Sequence, residues 1–514
     1  MFVFKLTCPI FNFTSFYKYH FMTLLTLITI IAIVSLILTL IMIFVFKVQK
    51  SAVMTYLQNF TGILFLFSGW VKAVDPLGTA IKMGDYFAEF NATFADTSFS
   101  FIAPLFPFLT NYSTAFAIVM IIFEIILGIM LILGDRPKLT AWLFFLLVVF
   151  FTFLTGFTFL TGYVPGDVNF FNFSGWGEYK VSNMRVTDCG CFGDFIKLEP
   201  RISFYKDLFL MIPAIYFIWK HADMHTILDG KKRNTILFTS TVLLVLYCFY
   251  NFYWNEPHMD FRPFKNNTNI AEIKKTEIDA ANAVKVVAMK MKHKTTGEIK
   301  EFSYEEYLKN LATLTEEYET IEQIKTEPSI KATKVSEFSI YDFEDNEKAD
   351  VYLANPKPHF MILISKADYN AKSAKRMVQD STFVIDTVKQ DNGGFIVVKN
   401  LKGVEEKEET YYEVTWNEGF LDRMINTIKP LYLAAAKDNV EMSVVMSGVD
   451  AEKAKSLAEA TGIDVPYYTS DEKLLKTIMR SNPGIILWQN GVLIHKWHYK
   501  KLPTYQEIKS TYIK

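Results

Sequence analysis

Cysteine is scarce, with four residues in 514, at Cys8, Cys189, Cys191 and Cys248, and none after position 248. Thiol–disulfide exchange needs a thiolate, so the second half of the chain cannot perform it. Net charge is nearly absent too: 53 basic residues against 54 acidic ones leave a formal −1. That balance gives no reason to expect nucleic-acid binding. Histidine does not stand near the cysteines, so two sulfurs alone make an incomplete tetrahedral set and no metal site is expected. What is present in quantity is apolar surface. Hydrophobic residues make up 51% of the chain and aromatics 16%, concentrated before about residue 255. The length suggests two or three domains.

A bilayer core is about 30 Å thick and needs about 20 apolar residues in a helix to cross it. Leu24–Phe46 is such a run, uncharged and with no cleavage site close behind it, which reads as a retained span rather than a signal peptide. Val53–Val71, Phe116–Leu133, Leu139–Tyr163, Phe204–Trp219 and Thr235–Tyr253 follow, the fifth run being short and marked by Lys206 and Asp207. Met22 offers an alternative start. With six spans, Lys47, Lys50, Arg136, Lys138, Lys220, Lys231, Lys232 and Arg233 all fall on one side. By the positive-inside rule that side is cytoplasmic. The loop around Cys189 and everything after Pro257 then lie outside the cytoplasm, where disulfides are permitted.

Cys189-Gly-Cys191 sits within Asp188-Cys-Gly-Cys-Phe-Gly-Asp194. A disulfide spanning one residue closes a small ring that is easy to reduce. The pair reads as a redox-active dithiol, as a structural disulfide, or as two separate thiols in a tight turn. Glu124 lies inside an apolar run, where a carboxylate usually faces the bundle interior. Lys72 is its candidate partner. A proton relay, a quinone contact or simple interhelical packing are the uses open to this pair. A tandem repeat, Phe151-Thr-Phe-Leu-Thr-Gly156 and Phe157-Thr-Phe-Leu-Thr-Gly162, places threonine at every third position and favours helix packing.

Phe65-Leu-Phe-Ser-Gly-Trp-Val-Lys-Ala-Val-Asp-Pro-Leu-Gly78, the Glu124 span, the Cys-Gly-Cys-Phe-Gly stretch and Asp260-Phe-Arg-Pro-Phe264 occur in that order. Together they resemble bacterial DoxX-type membrane proteins related to the MauE family, over roughly residues 53 to 265. Their four-helix core is similar to that of quinone-linked disulfide enzymes of the vitamin K epoxide reductase group. The resemblance implies a protein of the bacterial inner membrane concerned with envelope thiol chemistry or maturation. The chain departs from the pattern by its first span, by an insertion from Gly166 to Arg185, and by lacking a Cys-x-x-Cys.

In the second half, residues 284–303 alternate and turn at Thr295-Thr-Gly297, which predicts a hairpin, and a helix is expected over Tyr304 to Thr320. From Val335 the order is a buried strand at Phe360–Ile364, then an irregular stretch that leads through Gly393 and Gly394 to further strands. A helix over Leu421–Lys437, strand Met442–Met446, helix Ala451–Thr461, a strand near Tyr467 and helix Glu472–Arg480 follow. A final hairpin turns at Asn490-Gly491. This succession resembles a thioredoxin-like domain, with Pro483 where that family has its cis-proline. The predicted organisation is therefore an N-terminal segment with an extra transmembrane helix (1–52), a DoxX/MauE-like transmembrane domain (53–256), a connecting segment (257–334) and a thioredoxin-like α/β domain in the periplasm (335–514). Two roles compete. One is a membrane thiol–disulfide oxidoreductase using Cys189 and Cys191, with a periplasmic or membrane protein as partner and a quinone as its one candidate cofactor. The other is a non-catalytic scaffold subunit of an envelope complex, binding protein segments near Pro483. A transporter has less support, since no inverted repeat is evident.

Overall fold

The computed structural model describes residues 23–95, 97–186, 189–389 and 395–513. Cys8, Met22, Asp188 and the Gly393–Gly394 pair lie outside them. The chain divides into two compact units, Met1–Arg262 and Pro263–Lys514.

The first unit is helical, with α1 (Leu24–Ile41), α2 (Ala52–Val74), α3 (Pro76–Ala95), α4 (Ser113–Leu133), α5 (Pro137–Thr161), α6 (Pro200–Lys220) and α7 (Gly230–Phe249). Among the described residues, five stretches are long and apolar enough to cross a bilayer: Leu24–Phe46, Ser113–Leu133, Pro137–Thr161, Pro200–Asp223 and Gly230–Trp254. α2 and α3 pass the same test only as a pair bent by 96°. The bend has a local cause. Asp75 precedes Pro76 and is held out of the helical region (φ −130°, ψ 77°), as pre-proline crowding requires. The stretch after Asp75 is thus largely a second helix, α3. Bundle-facing sides of these helices are buried, while Leu25, Ile33, Phe209, Ile212, Phe238 and Leu246 remain exposed, as a lipid-facing surface would be.

Close approach of α2 and α4 depends on glycine. A Cβ on Gly128 would stand 2.8 Å from the Gly62 carbonyl oxygen, and one on Gly69 would stand 2.4 Å from Ile125. Small residues at such crossings let backbones meet. The basic loops gather at one end of the bundle. There Lys50 donates to the Ala222 carbonyl (2.9 Å), Arg136 to Asn234 (3.0 Å) and Arg233 to Asp135 (2.9 Å).

The second unit holds a six-stranded sheet, a three-stranded sheet and a long two-stranded ribbon. Its strands are β1 (Thr268–Asn269), β2 (Val286–His293), β3 (Ile299–Ser303), β4 (Tyr318–Lys325), β5 (His359–Ile364), β6 (Tyr369–Lys389), β7 (Phe395–Trp416), β8 (Glu441–Met446), β9 (Tyr467–Thr469), β10 (Gly484–Gln489) and β11 (Val492–His498). The large sheet runs β1-β11-β10-β5-β8-β9. β5 is parallel to β8 and β8 to β9, whereas β10 is antiparallel to both its neighbours. Every residue of β5 is buried, as expected of a strand covered on both faces. One face packs on Phe360, Ile362, Phe420 and Leu457, the other on Met361, Leu363, Phe338 and Trp488. Two expectations change. The helix predicted over Tyr304 to Thr320 is two short helices that give way to β4, which pairs with β2. The stretch predicted to be irregular before Gly393 is strand β6, which pairs with β7 as a ribbon from Tyr369↔Trp416 to Lys389↔Phe395, with one register shift between Thr382 and Phe383.

Candidate functional site

A cavity of about 50 Å³ lies inside the helical unit, lined by residues of α2 to α6 and by Cys189, Gly190 and Cys191. The loop that brings the cysteines there is shaped by glycine. Gly190 (φ 61°) and Gly193 (φ 51°) occupy the left-handed region, which a side chain disfavours. Gly193 donates to the Gly190 carbonyl (3.1 Å), closing the turn.

Two buried ion pairs flank this loop. Lys72 from α2 meets Glu124 from α4 at 2.7 Å, with the side chains 7% and 3% exposed. Its ammonium also donates to Ser68 (3.2 Å) and stands over the Phe151 ring. Ser68 in turn donates to the Cys191 carbonyl (2.9 Å). A continuous chain of contacts therefore runs from the intramembrane carboxylate to the cysteine loop. On the other side, Lys206 pairs with Asp207, and Thr155 of α5 donates to the second oxygen of Asp207 (2.9 Å). Each carboxylate is thus matched by an ammonium, which is what makes a buried charge tolerable. Burial pushes the Cys191 thiol up; Lys206 opposes that shift, Asp207 adds to it, and Lys72 opposes it again.

The four cavity residues singled out from sequence, Lys72, Glu124, Cys189 and Cys191, therefore line one space. Cys189, Cys191 and Cys248 are present as thiols. Pro483 belongs to the other unit. It is buried, its bond to Asn482 is cis, and Asn482 donates to the carbonyl of exposed Lys366 (2.7 Å). Sequence reasoning missed Ser68, Thr155, Lys206 and Asp207 as members of the site. Lys206 and Asp207 carried the same signal as Glu124, a charge inside an apolar helix, but they read only as weakening the span. The threonine repeat does pack: Thr158 shares a hydrogen bond with Tyr86 (2.8 Å), and Thr152 donates to the carbonyl four residues back.

The space suits small groups. About 50 Å³ holds a few waters, whereas a cavity that takes a benzene ring is about 150 Å³. A quinone head group is larger than that volume. Among the described residues no cluster of three or more His, Cys, Asp or Glu could hold a metal ion.

The sequence profile of methylamine utilisation protein MauE matches residues 50–165. That stretch contains α2 to α5 with Lys72 and Glu124, and ends before the cysteine loop. No curated protein and no solved structure matches the chain. Several apolar helices together with this match describe a multi-pass membrane protein with a MauE-like region, followed by an α/β unit.

Proposed function

We propose that the chain is a thiol–disulfide exchange protein of the bacterial inner membrane, working through Cys189 and Cys191 on an extracytoplasmic protein partner. The observation that carries this reading is the Ser68 link, which ties the cysteine loop to the buried Lys72–Glu124 pair. A loop needed only as a connector has no use for that cost in buried charge. In the exchange, a thiolate of the pair attacks a disulfide of the partner, giving a mixed disulfide and releasing one partner thiolate. The second cysteine then attacks the bridge, forming Cys189–Cys191 and releasing the other. The partner gains two electrons and the two protons that the pair loses, and the reverse reaction oxidises a dithiol partner.

The orientation is supported by the basic loops, which are hydrogen-bonded together at one end of the bundle and read as cytoplasmic. The second unit is then periplasmic. Its parallel β5–β8 pair and its closing β10–β11 hairpin support a thioredoxin-like domain. With no cysteine in that unit its work is to bind protein, and the exposed surface around Lys366 beside Asn482 is the natural place.

Trapping with a mass-tagged maleimide in cells tests the proposal. Cys189 and Cys191 should shift between dithiol and disulfide with growth conditions, and Cys191→Ser should accumulate a mixed disulfide with the partner. A pair frozen in one state, together with a fully functional Cys189→Ser/Cys191→Ser variant, would leave only a non-catalytic scaffold subunit.

A further inference from the structure

We propose that α3 and the segment after it, Thr97–Tyr112, lie in the bilayer interface at the cysteine-loop end of the bundle, with phospholipid as the partner of their exposed aromatic face. The ends of the bundle are set by its loops. α2 starts beside Lys50 and α4 stops beside Asp135, at the end where the basic loops are hydrogen-bonded together. Val74 and Ser113 therefore stand at the opposite end, as does the cysteine loop between α5 and α6. α2 has 23 residues, about 34 Å of helix, and crosses a hydrocarbon core of about 30 Å without help. A helix that leaves it at 96° no longer continues the crossing and runs close to the membrane plane.

α3 is two-sided, as such a position demands. Lys82, Asp85 and Glu89 fall on one side at spacings of three and four, and Phe87, Phe90 and Phe94 fall on the other. The apolar side is sunk into the bundle. Phe90 packs on Phe157 and Phe153 of α5, with ring centroids 4.9 and 5.7 Å apart. Phe153 precedes the last residue of α5, Thr161, by eight positions, about 12 Å along the helix. Phe106 is buried against Phe90 and Phe94 (5.5 and 5.6 Å), which ties the following segment to α3. That segment faces outward with Phe99, Phe101, Leu105, Phe108 and Tyr112, 49% to 77% exposed.

An apolar patch of this kind marks an interaction surface, and three observations favour lipid as its occupant. Thr97–Phe123 contains no charged residue and runs directly into α4, a helix of membrane-crossing length. Val119 of α4 and Phe153 of α5 are exposed as lipid-facing residues are. The segment is also broken into a 3-10 turn at Ser100–Ile102 and a short helix at Leu105–Asn111, and Pro104 and Pro107 deny it a continuous helix. Lipid-exposed irregular backbone is not tolerated in the hydrocarbon core, whereas the interface supplies water and is where aromatic rings collect. Thr79, Lys82 and Met83 of α3 line the cavity beside Cys189 and Cys191, so an interfacial α3 holds the cysteine loop at headgroup depth.

The test places the full chain, one copy per nanodisc, among phospholipids carrying a photoactivatable diazirine either high on the acyl chain or at its terminus, and locates adducts by peptide mass spectrometry. The high probe should label Phe99–Tyr112 about tenfold more than the terminal probe, while exposed Val242 and Leu243, midway along Gly230–Trp254, should take the terminal one. Phe101→Asp/Phe108→Asp should cut labelling of the segment about tenfold and leave that of α7 unchanged. The inference is overturned if α7 is labelled and the segment is not, or if the terminal probe labels the segment as strongly as the high one. It is also overturned if a second copy in the same disc abolishes the labelling, since the patch would then be a contact between chains. The wild-type comparison needs no variant to fold. None of these outcomes depends on whether the cysteines cycle, so the inference stands or falls apart from the exchange function.

Discussion

Both units bury polar groups, but Glu124 and Asp207 in one are matched where His359 in the other is not. In the helical unit Glu124 meets Lys72, and Asp207 receives both Lys206 and Thr155. In the α/β unit His359 is 1% exposed, and neither ring nitrogen has a hydrogen-bond partner among the described residues. Trp488, its register partner in β10, and Ser443 on β8 also carry buried side-chain atoms without one. A charge surrounded by hydrocarbon must be matched, whereas an imidazole can discharge itself. The helical unit therefore stores charge where chemistry could use it. The α/β unit stays neutral at that point and becomes sensitive to acid.

The largest expected effect separates the units by function. Cys189→Ser or Cys191→Ser should abolish disulfide exchange with the partner, whereas Lys366→Glu in the α/β unit should weaken partner capture and leave the cysteines able to cycle. Total loss from the Lys366 change would break the division of labour, and mass-tag trapping reads both.

Next comes the cost of unmatched charge. Glu124→Leu alone should destabilise the helical unit by about 3–5 kcal/mol, because it leaves Lys72 buried without its carboxylate. Lys72→Met/Glu124→Leu should recover most of that loss. Thermal unfolding in nanodiscs measures it, and a neutral single variant would show that the pair is not electrostatically closed.

The α/β unit should respond to pH at His359. Burial lowers its pKa from 6.5 to about 4, so the unfolded chain takes up the proton first as pH falls. Its contribution is complete above pH 6.5 and is lost as pH drops toward 4, about 3 kcal/mol in all. Hydrogen exchange at the β5 and β10 amides of the full chain should show this loss, and His359→Phe should remove it. An unchanged pH dependence in that variant would place the sensitive group elsewhere. The smallest effect concerns packing. Gly128→Ala should cost about 1–3 kcal/mol, since its Cβ would press on the Gly62 carbonyl and push α2 from α4. The Lys72–Glu124 distance would lengthen with it.

Several features were legible because their signals are local. An uninterrupted apolar run dictates a helix of membrane-spanning length, so α1, α4 and α5 were visible. Asn490-Gly491 announced the β10–β11 hairpin by its turn chemistry, and Glu124 stood out as one charge among apolar neighbours. Strand β6 and its pairing with β7 were not visible, because that pairing joins residues up to 47 positions apart, Tyr369 with Trp416. Lys206 and Asp207 were misjudged for a similar reason. Within one helix they only lower hydrophobicity.

By itself, then, the sequence determined where the apolar segments lie, that thiol chemistry is confined to the first half, and which single residues are expensive to bury. Only the tertiary structure decided which of those costs offset one another. Glycine at the α2–α4 crossing brings Lys72 to Glu124, a proline bend turns α3 back, and a threonine on α5 reaches Asp207. Ser68 then joins this network to the cysteine loop. Each of these pairings is a short-range contact between residues far apart in the chain, and electrostatic matching depends on distance in space rather than on order in sequence.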